Sequence, residues 1–269
     1  MNAVDTIFAD VDGGQAELVP DPGRDGSWTL YVASVAQSYV DMTAPRRLEF
    51  EYVRKIARIL DAVGKPGEPL RVLHLGAGAL TIPRYVAATR PGSTQEVVDR
   101  DGRLLDFVLV HLPLRRDTVV RPVVADAREA VSAAEPESWD VVIGDIYNGA
   151  QMPSHVSGVE FAREIARVLA PGGIYIVNVT DLPMLSFTRR LTAGLRETFD
   201  DVVLIGEPGM LRGRRYGNLV LAAGLEELPR GLLAAGGAGG KSVVHGAALA
   251  KFTGGARPLS DEAPEASPA

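Results

Sequence analysis

The sequence predicts one α/β domain with a doubly wound, mostly parallel seven-stranded sheet and a small N-terminal β element. Three observations predict it: continuous β-branched runs, amphipathic helical patterns between them, and acidic residues that close successive runs. The chain has 269 residues, of which 46% are hydrophobic and 23% are charged. This length and composition are ordinary for a globular protein with a sizeable core.

The chain divides into four predicted parts. Residues 1–45 hold short β-like runs between Gly, Pro and Asp turns, and residues 46–224 carry the main α/β pattern. Residues 225–255 form a C-terminal extension, which includes a Gly-rich run at 236–240. Residues 256–269 are rich in Pro, Ser, Glu and Ala, and this composition predicts a disordered tail.

The predicted strands of the main domain are short apolar runs. In chain order they are Arg71 to Leu75, Val97-Val98, Val119 to Val124, Val141 to Gly144, Ile174 to Val177, Val202 to Ile205 and Asn218 to Ala223. Continuous β-branched runs of this kind fit strands that are buried on both faces. A charged turn at 212–215 separates the last two runs, so we expect a hairpin and an antiparallel final strand.

Helical patterns fill the gaps between these runs. In the stretch Phe161 to Leu169, apolar side chains recur at helical spacing and Arg163, Glu164 and Arg167 lie on the other side. Ala170-Pro171-Gly172-Gly173 predicts the end of that helix. Alternation of strand and helix implies right-handed crossovers in a parallel sheet.

A glycine loop follows the first run and opens a helix. Gly76, Ala77 and Gly78 are candidate cofactor-binding residues, because glycine lets the backbone approach a ligand closely. Thr81 occupies the position of the third glycine in the G-x-G-x-x-G pattern, so the fingerprint is incomplete. A tight strand-to-helix turn without a ligand is the alternative.

Three acidic residues favour a ligand site over a turn without a ligand. Asp99, Asp126 and Asp145 end the second, third and fourth runs, and strand ends of this kind meet at the binding crevice of open α/β sheets. Asp99 is placed to accept ribose hydroxyl protons, and Asp126 to take the exocyclic amine of adenine. Each could instead cap a helix. The pattern favours a methyl- or aminopropyl-donor nucleoside over a nicotinamide, in a Rossmann-like domain of the S-adenosylmethionine-methyltransferase type.

Composition excludes several classes of function. The formal net charge of -6 and the pI of about 5.3 argue against nucleic acid as a partner. The chain has no cysteine, and its four histidines are scattered, so we expect no metal and no tightly bound cofactor. We find neither a signal-peptide pattern nor an apolar run long enough to span a membrane, so we expect a soluble, cytoplasmic protein.

Several segments between residues 35 and 224 match a known family in order and spacing. They are residues 37–42, residues 47–52, Leu75-Gly76-Ala77-Gly78, residues 98–101, residues 125–128, Trp139 to Asp145 and Leu169 to Gly173. With these segments the chain resembles the spermidine synthase (polyamine aminopropyltransferase) family, as a divergent, spermidine synthase-like member. The glycine loop and the L-x-P-G-G stop are shared with methyltransferases in general.

The resemblance implies a function and a set of site residues. The family transfers an aminopropyl group from decarboxylated S-adenosylmethionine, as co-substrate, to an amine. The resemblance places Asp99 at the ribose, Asp126 with Ala127 at the adenine, and Asp145 as the catalytic base. It also implies a homodimer. The candidate residues for binding the amine substrate are Tyr39, Tyr52, Tyr147 and Asn148.

The chain departs from the family pattern at the positions that meet ammonium groups. Ala79 stands at an acidic position of the glycine loop, Asn148 replaces the second carboxylate of the active site, and Arg54 replaces a glutamate. Three hypotheses follow: an aminopropyltransferase, an S-adenosylmethionine-dependent methyltransferase, and a catalytically silent nucleoside-binding homologue.

Other polar residues leave two interpretations open. Tyr147 either lines the acceptor pocket or packs with its hydroxyl at the rim. His155 either acts as an acid or base or is solvated. Asp181 either lines the pocket or caps the next helix. The turn with Arg212, Arg214 and Arg215 either is a solvated hairpin tip or binds phosphate.

Overall fold

A central eight-stranded sheet organises the computed structural model, which describes residues 5–229 and 242–268. Its strands are β5 (Arg71–Leu75), β6 (Thr94–Asp99), β7 (Val120–Val124), β8 (Trp139–Gly144), β9 (Leu169–Asp181), β10 (Asp201–Ile205), β11 (Gly217–Gly224) and β12 (Val243–His245). The spatial order is β12-β10-β11-β9-β8-β5-β6-β7. Strands β5 to β9 pair in parallel, and β11, β10 and β12 add antiparallel pairs. The predicted doubly wound, mostly parallel sheet is confirmed.

Helices cover both faces of this sheet. They are α1 (Glu51–Ala62), α2 (Thr81–Thr89), α3 (Gly102–His111), α4 (Ala127–Ala133), α5 (Val159–Val168), α6 (Ser186–Thr198), α7 (Pro208–Leu211) and α8 (Gly246–Thr253). Successive strand residues point to opposite faces, so Val141 and Ile143 pack on the α1 side while Val142 packs with α5. This two-sided burial explains why the strands are continuous apolar runs. Among the residues described, no helix combines the length and hydropathy needed to cross a bilayer.

The N-terminal β element is a four-stranded antiparallel sheet. Its strands are β1 (Ile7–Val11), β2 (Gly14–Pro20), β3 (Ser27–Val32) and β4 (Val35–Asp41). Leu18 and Leu30 are buried against Leu80 and Leu105 of the main domain. The small sheet therefore packs beside the glycine loop and α3.

The prediction of seven strands was wrong by one. The extra strand, β12, comes from the C-terminal extension and pairs Val243 with Ile205 at the sheet edge. Three residues are too short a run to predict as a strand, and only the pairing with β10 makes them one. The Gly-rich run at 236–240 lies outside the described residues.

The expectation of a disordered tail over 256–269 also needs correction. Leu259 is buried in the main core, Ser267 is fully buried, and Asp261 forms an ion pair with Arg128. The segment lacks the apolar content to fold alone, but it packs on a surface that the rest of the chain has already formed. Amino-acid composition shows the low apolar content of the segment, but it does not show the surface on which the segment packs.

Candidate functional site

One cavity of about 910 Å³ opens at the carboxyl ends of β5, β6 and β8. The chain order of the strands reverses here, since β5 leads outward to β6 and β7 and then back to β8. Ligand-binding crevices form at such switch points because the two crossover connections leave in opposite directions. The cavity is lined by Gly76, Ala77, Gly78, Asp99, Asp126, Ala127, Asp145, Tyr52, Tyr147 and Asn148 together with neighbouring residues.

The glycine loop is shaped by close packing at two of its positions. Gly76 has φ +101°, and a Cβ there would lie 2.1 Å from the backbone oxygen of Asp145. Gly78 has φ +49°, and a Cβ there would lie 2.3 Å from the Oγ of Ser38. The Ala79 N–H donates to this Ser38 Oγ at 3.1 Å. Glycine is therefore required so that β8 and β4 can approach the loop.

Asp99 is held at the end of β6 by two backbone donors. Its Oδ2 accepts from the N–H of Ala77 at 2.9 Å, and its Oδ1 from the N–H of Asp101 at 2.9 Å. Burial raises the pKa of Asp99, and these two N–H donors offset part of that rise. The carboxylate is thus fixed in orientation, with lone pairs left for a ligand in the cavity.

Asp126 has two roles in the structure. Its Oδ1 accepts from the N–H of Arg128 at 2.8 Å, so it caps α4, which is the alternative that the sequence left open. Its Oδ2 lies 2.9 Å from Nε2 of His155. Burial alone would raise the pKa of Asp126, but the hydrogen bonds from His155 and Arg128 outweigh it, and the pKa is lowered. Ala127, at the first position of α4, lines the cavity beside it.

Asp145 is the carboxylate with the strongest support from neighbouring side chains. Its Oδ2 accepts from the hydroxyl of Tyr52 at 3.1 Å, and its Oδ1 from the Nδ2 of Asn178 at 2.9 Å. Desolvation raises the pKa of Asp145, whereas the hydrogen bonds from Asn178 and Tyr52 lower it, and the net shift is upward. A raised pKa makes this carboxylate a stronger base than an ordinary aspartate.

The two tyrosines beside Asp145 stay protonated. Burial, followed by the charge of Asp145, raises the pKa of Tyr52 well above its usual value. Burial likewise raises the pKa of Tyr147, whose hydroxyl donates to the main-chain oxygen of Asn178 at 3.2 Å. Both rings line the cavity, while Asn148 is exposed at its rim in an isolated bridge with Gln151. Tyr147 therefore lines the pocket and also packs against β9.

Tyr39 needs correction. It is not among the described residues that line the cavity; its ring is buried and its hydroxyl donates to Asp21 Oδ2 at 2.8 Å. Adjacent residues of a strand point to opposite faces, so Ser38 reaches the glycine loop and Tyr39 points away from it. The family resemblance pointed to the correct segment, residues 37–42. It led to Tyr39, however, whereas Ser38 is the residue that faces the glycine loop.

Two acids that line the cavity, Asp101 and Glu51, have partners within the chain. Asp101 caps α3 by accepting from the N–H of Leu104, and it also accepts from the N–H of Gly13. Glu51 pairs with Lys55 at 2.5 Å. The guanidinium of Arg54 donates to the carbonyl oxygens of Leu48 and Glu49. It therefore holds the chain that enters α1 and makes no hydrogen bond to Asp145.

The geometry decides between the two interpretations of Asp181, and it gives one arginine of the basic turn a partner. The buried Asp181 accepts from the N–H and hydroxyl of Thr188 at 2.8 Å, so it caps α6 and does not line the cavity. In the basic turn, Arg215 forms an ion pair with Glu207 and lines the cavity. Within the described chain, we find no group of three acidic or histidine side chains arranged to hold a metal ion.

Asn178 and Ser38 are contacts that sequence reasoning missed. Asn178 directly follows the apolar run Ile174 to Val177, and a polar residue closing such a run was a usable signal. It is almost fully buried, and its Nδ2 is committed to Asp145. Ser38 carries no signal of its own, because only the fold brings β4 against the glycine loop.

Comparison with known proteins decides the family. No family model matches the sequence. A solved structure described as a probable spermidine synthase from Corynebacterium glutamicum is 32% identical, with a TM-score of 0.86 over 96% of this chain and 97% of that one. The chain belongs to the spermidine synthase family. The resemblance found in the sequence is therefore confirmed.

Two further matches extend this placement. A polyamine aminopropyltransferase from Vibrio vulnificus (strain CMCP6) is 25% identical over 135 residues, which cover 49% of this chain and 44% of that relative. The match thus spans less than half the length of that relative. Human methyltransferase-like protein 13, solved in complex with SAH, is 18% identical with a TM-score of 0.51 over 78% of this chain and 93% of that one. It shares the fold of this chain.

Proposed function

We propose that this protein is an aminopropyltransferase, which moves an aminopropyl group from decarboxylated S-adenosylmethionine to an amine acceptor. The observation that carries the proposal is the position of Asp145. This carboxylate, with its raised pKa, shares one cavity with Asp99 and Asp126. A nucleoside held by Asp99 and Asp126 would bring its sulfonium toward Asp145.

The donor half of the cavity offers complementary groups for adenosine. Asp99 has free lone pairs for the two ribose hydroxyls, and its orientation is fixed by backbone donors. Asp126 would accept from the exocyclic amine of adenine, sharing Oδ2 with His155. The first N–H groups of a helix lack intrahelical acceptors, so the N–H of Ala127 is available to a ring nitrogen.

The acceptor half supplies a base and two fixed hydroxyls. Amines are protonated near neutral pH, so Asp145 would take a proton from the ammonium of the acceptor. The freed nitrogen attacks the aminopropyl carbon bonded to sulfur, the C–S bond breaks, and its electron pair remains on the neutral thioether, methylthioadenosine. Tyr52 keeps Asp145 directed at the cavity, and the fixed geometry supplies the alignment that in-line displacement needs.

The decisive experiment measures methylthioadenosine released from decarboxylated S-adenosylmethionine in the presence of a panel of amines. We expect release with the parent protein and a loss of at least about 100-fold in kcat for Asp145→Asn, which keeps the shape of the side chain and removes the base. The donor should still bind to this variant. The absence of methylthioadenosine with every amine would refute the proposal.

A methyltransferase is the second candidate, and one observation favours it. Ala79 is fully buried beside Ser38, so no acid at this position meets the ammonium of the donor or repels a donor carboxylate. Calorimetry can compare the affinities of the protein for the two nucleoside products. Tighter binding of S-adenosylhomocysteine than of methylthioadenosine would favour methyl transfer, and the reverse order supports aminopropyl transfer.

Assembly and location belong to the same proposal. Family membership supports a homodimer that works in the cytoplasm. Light scattering of the purified chain tests the first point, and fractionation of the host cell tests the second. A monomer that turns over at the full rate would remove the homodimer from the proposal.

A further inference from the structure

The C-terminal segment, defined here as residues 256–268, runs along the outer side of one cavity wall. That wall is the loop between β8 and α5, residues 148–157, which we call the site loop. Asn148, Pro153 and His155 of the site loop line the cavity. Met152 and Ser157 of the site loop are hydrogen-bonded to Ser267 and Glu265 of the C-terminal segment.

Backbone and hydroxyl groups join the two segments directly. The N–H of Ser267 donates to the carbonyl oxygen of Met152 at 3.0 Å, and the N–H of Met152 donates to the Oγ of Ser267 at 2.8 Å. The hydroxyl of Ser157 donates to the carbonyl oxygen of Glu265 at 3.1 Å. Ser267 and Met152 are buried, so loss of these bonds would leave buried polar groups without partners.

A charged link connects the same segment to the nucleoside half of the cavity. The carboxylate of Asp261 accepts from both terminal nitrogens of Arg128, with Nη1 2.7 Å from Oδ1. The same Nη1 donates to the main-chain oxygen of His155 at 2.9 Å. The ring of His155 lies 2.9 Å from Asp126, whose other oxygen accepts from the N–H of Arg128.

We infer that Asp261 is a positioning residue for the donor site. It fixes the guanidinium of Arg128, which fixes the main chain of His155 and with it the carboxylate of Asp126. A bidentate Arg–carboxylate pair has defined geometry, so it suits this task better than a single hydrogen bond. The inference rests on the proposed function, because Asp126 matters as a ligand only if the chain binds an adenosine-type donor.

The effect should be specific for the donor. Asp261 lies outside the cavity lining, and its carboxylate is hydrogen-bonded to Arg128. The acceptor half is held instead by Tyr52 of α1 and Asn178 of β9. Loss of the pair would let Asp126 and His155 adopt several orientations without moving Asp145. We therefore expect weaker donor binding and an unchanged KM for the amine.

The test uses the full chain with Asp261→Asn, Asp261→Glu and a matched control, Asp117→Asn. Asp117 forms an exposed ion pair with Arg115 away from the cavity. Calorimetry with methylthioadenosine should show about a threefold to tenfold loss of affinity for Asp261→Asn, the size expected for a well-ordered ion pair. Asp261→Glu should recover part of this loss, and the control should bind like the parent.

Hydrogen exchange of the site loop separates this inference from the proposed function. Exchange over 148–157 should be faster in Asp261→Asn than in the parent, with or without nucleoside. If the parent binds no methylthioadenosine, the proposed function fails, and faster loop exchange then supports only the part of the inference in which Asp261 orders Arg128 and the site loop. Unchanged affinity with unchanged exchange would overturn the inference, and so would an equal loss of donor and amine binding.

Discussion

The side-chain amide of Asn178 donates to Oδ1 of Asp145 at 2.9 Å, and this bond joins β9 to the proposed base at the end of β8. It works against desolvation, which raises the pKa of Asp145. The hydroxyl of Tyr52 adds a second, longer bond to the other carboxylate oxygen. These two neighbours therefore reduce the rise in the pKa of Asp145 that burial causes, and each can be tested.

Asn178→Ala should move the acidic limb of the pH–rate profile to higher pH. The substitution removes a bond that lowers the pKa of Asp145, so the carboxylate would become protonated, and inactive, at a higher pH. We also expect kcat to fall by about tenfold at neutral pH. The measurement is the rate of methylthioadenosine release across the pH range. Asn218→Ala, on the neighbouring strand of the cavity, is the control and should leave the position of the limb unchanged.

Tyr52→Phe should act in the same direction with a smaller effect. The ring remains to fill the cavity wall, but the hydroxyl donor at 3.1 Å is lost. We expect a fall of about threefold to fivefold in kcat, since the bond is longer than that from Asn178. The control is Tyr85→Phe, whose hydroxyl donates to Asp61 outside the site. A fall in kcat as large in the control as in Tyr52→Phe would contradict a role in positioning Asp145.

Asp145→Asn should stabilise the folded protein while it removes activity. A folded-state pKa above the unfolded value means that this group favours folding below its unfolded pKa, and that the contribution is lost as pH rises through the folded pKa. At neutral pH the ionised carboxylate is therefore a cost to the fold. We expect a higher melting temperature for the variant at pH 7 than for the parent, measured by calorimetry. The difference should shrink as the pH approaches 4, and a variant that melts lower at pH 7 would count against this account.

Asp99→Ala should weaken nucleoside binding by about 10-fold to 100-fold, because two hydroxyl acceptors and the anchor of the Ala77 N–H are lost together. The measurement is the affinity for methylthioadenosine. Asp106→Ala, at an exposed position of α3, is the control and should bind like the parent. Equal affinities for Asp99→Ala and the parent would remove Asp99 from the proposed site.

His74 should make the protein less stable in mild acid. Its pKa is lowered to about 4 because it is buried, while its Nε2 shares a hydrogen bond with Gln95. The unfolded chain binds a proton near pH 6.5, so stability is fully present above that pH and is lost as pH falls toward 4. At pH 5 the loss is about 2 kcal/mol. Urea unfolding at pH 7 and pH 5 measures it, and His74→Gln should show a smaller difference between the two conditions.

Local sequence patterns determined the framework of this protein. The β-branched runs, the helix stop before Gly172 and the acids that close β6, β7 and β8 predicted a parallel sheet with its ligand crevice. These patterns are visible in the sequence because burial on both faces of a strand and the turn at its end are both encoded by consecutive residues. The glycine loop and the order of the motifs then indicated the family.

Only the tertiary structure determined the contacts between residues that are far apart in the sequence. Three features depend on which surfaces meet: the pairing of β12 with β10, the direction of Tyr39 away from the glycine loop, and the bond from Asn178 to Asp145. The C-terminal segment shows this most clearly, since its composition predicts disorder and its contacts with Met152 and Arg128 give it a fixed place. A polar, Pro-rich segment buries too little apolar surface to fold by itself. It becomes ordered when it packs on a surface that the other helices and strands have formed.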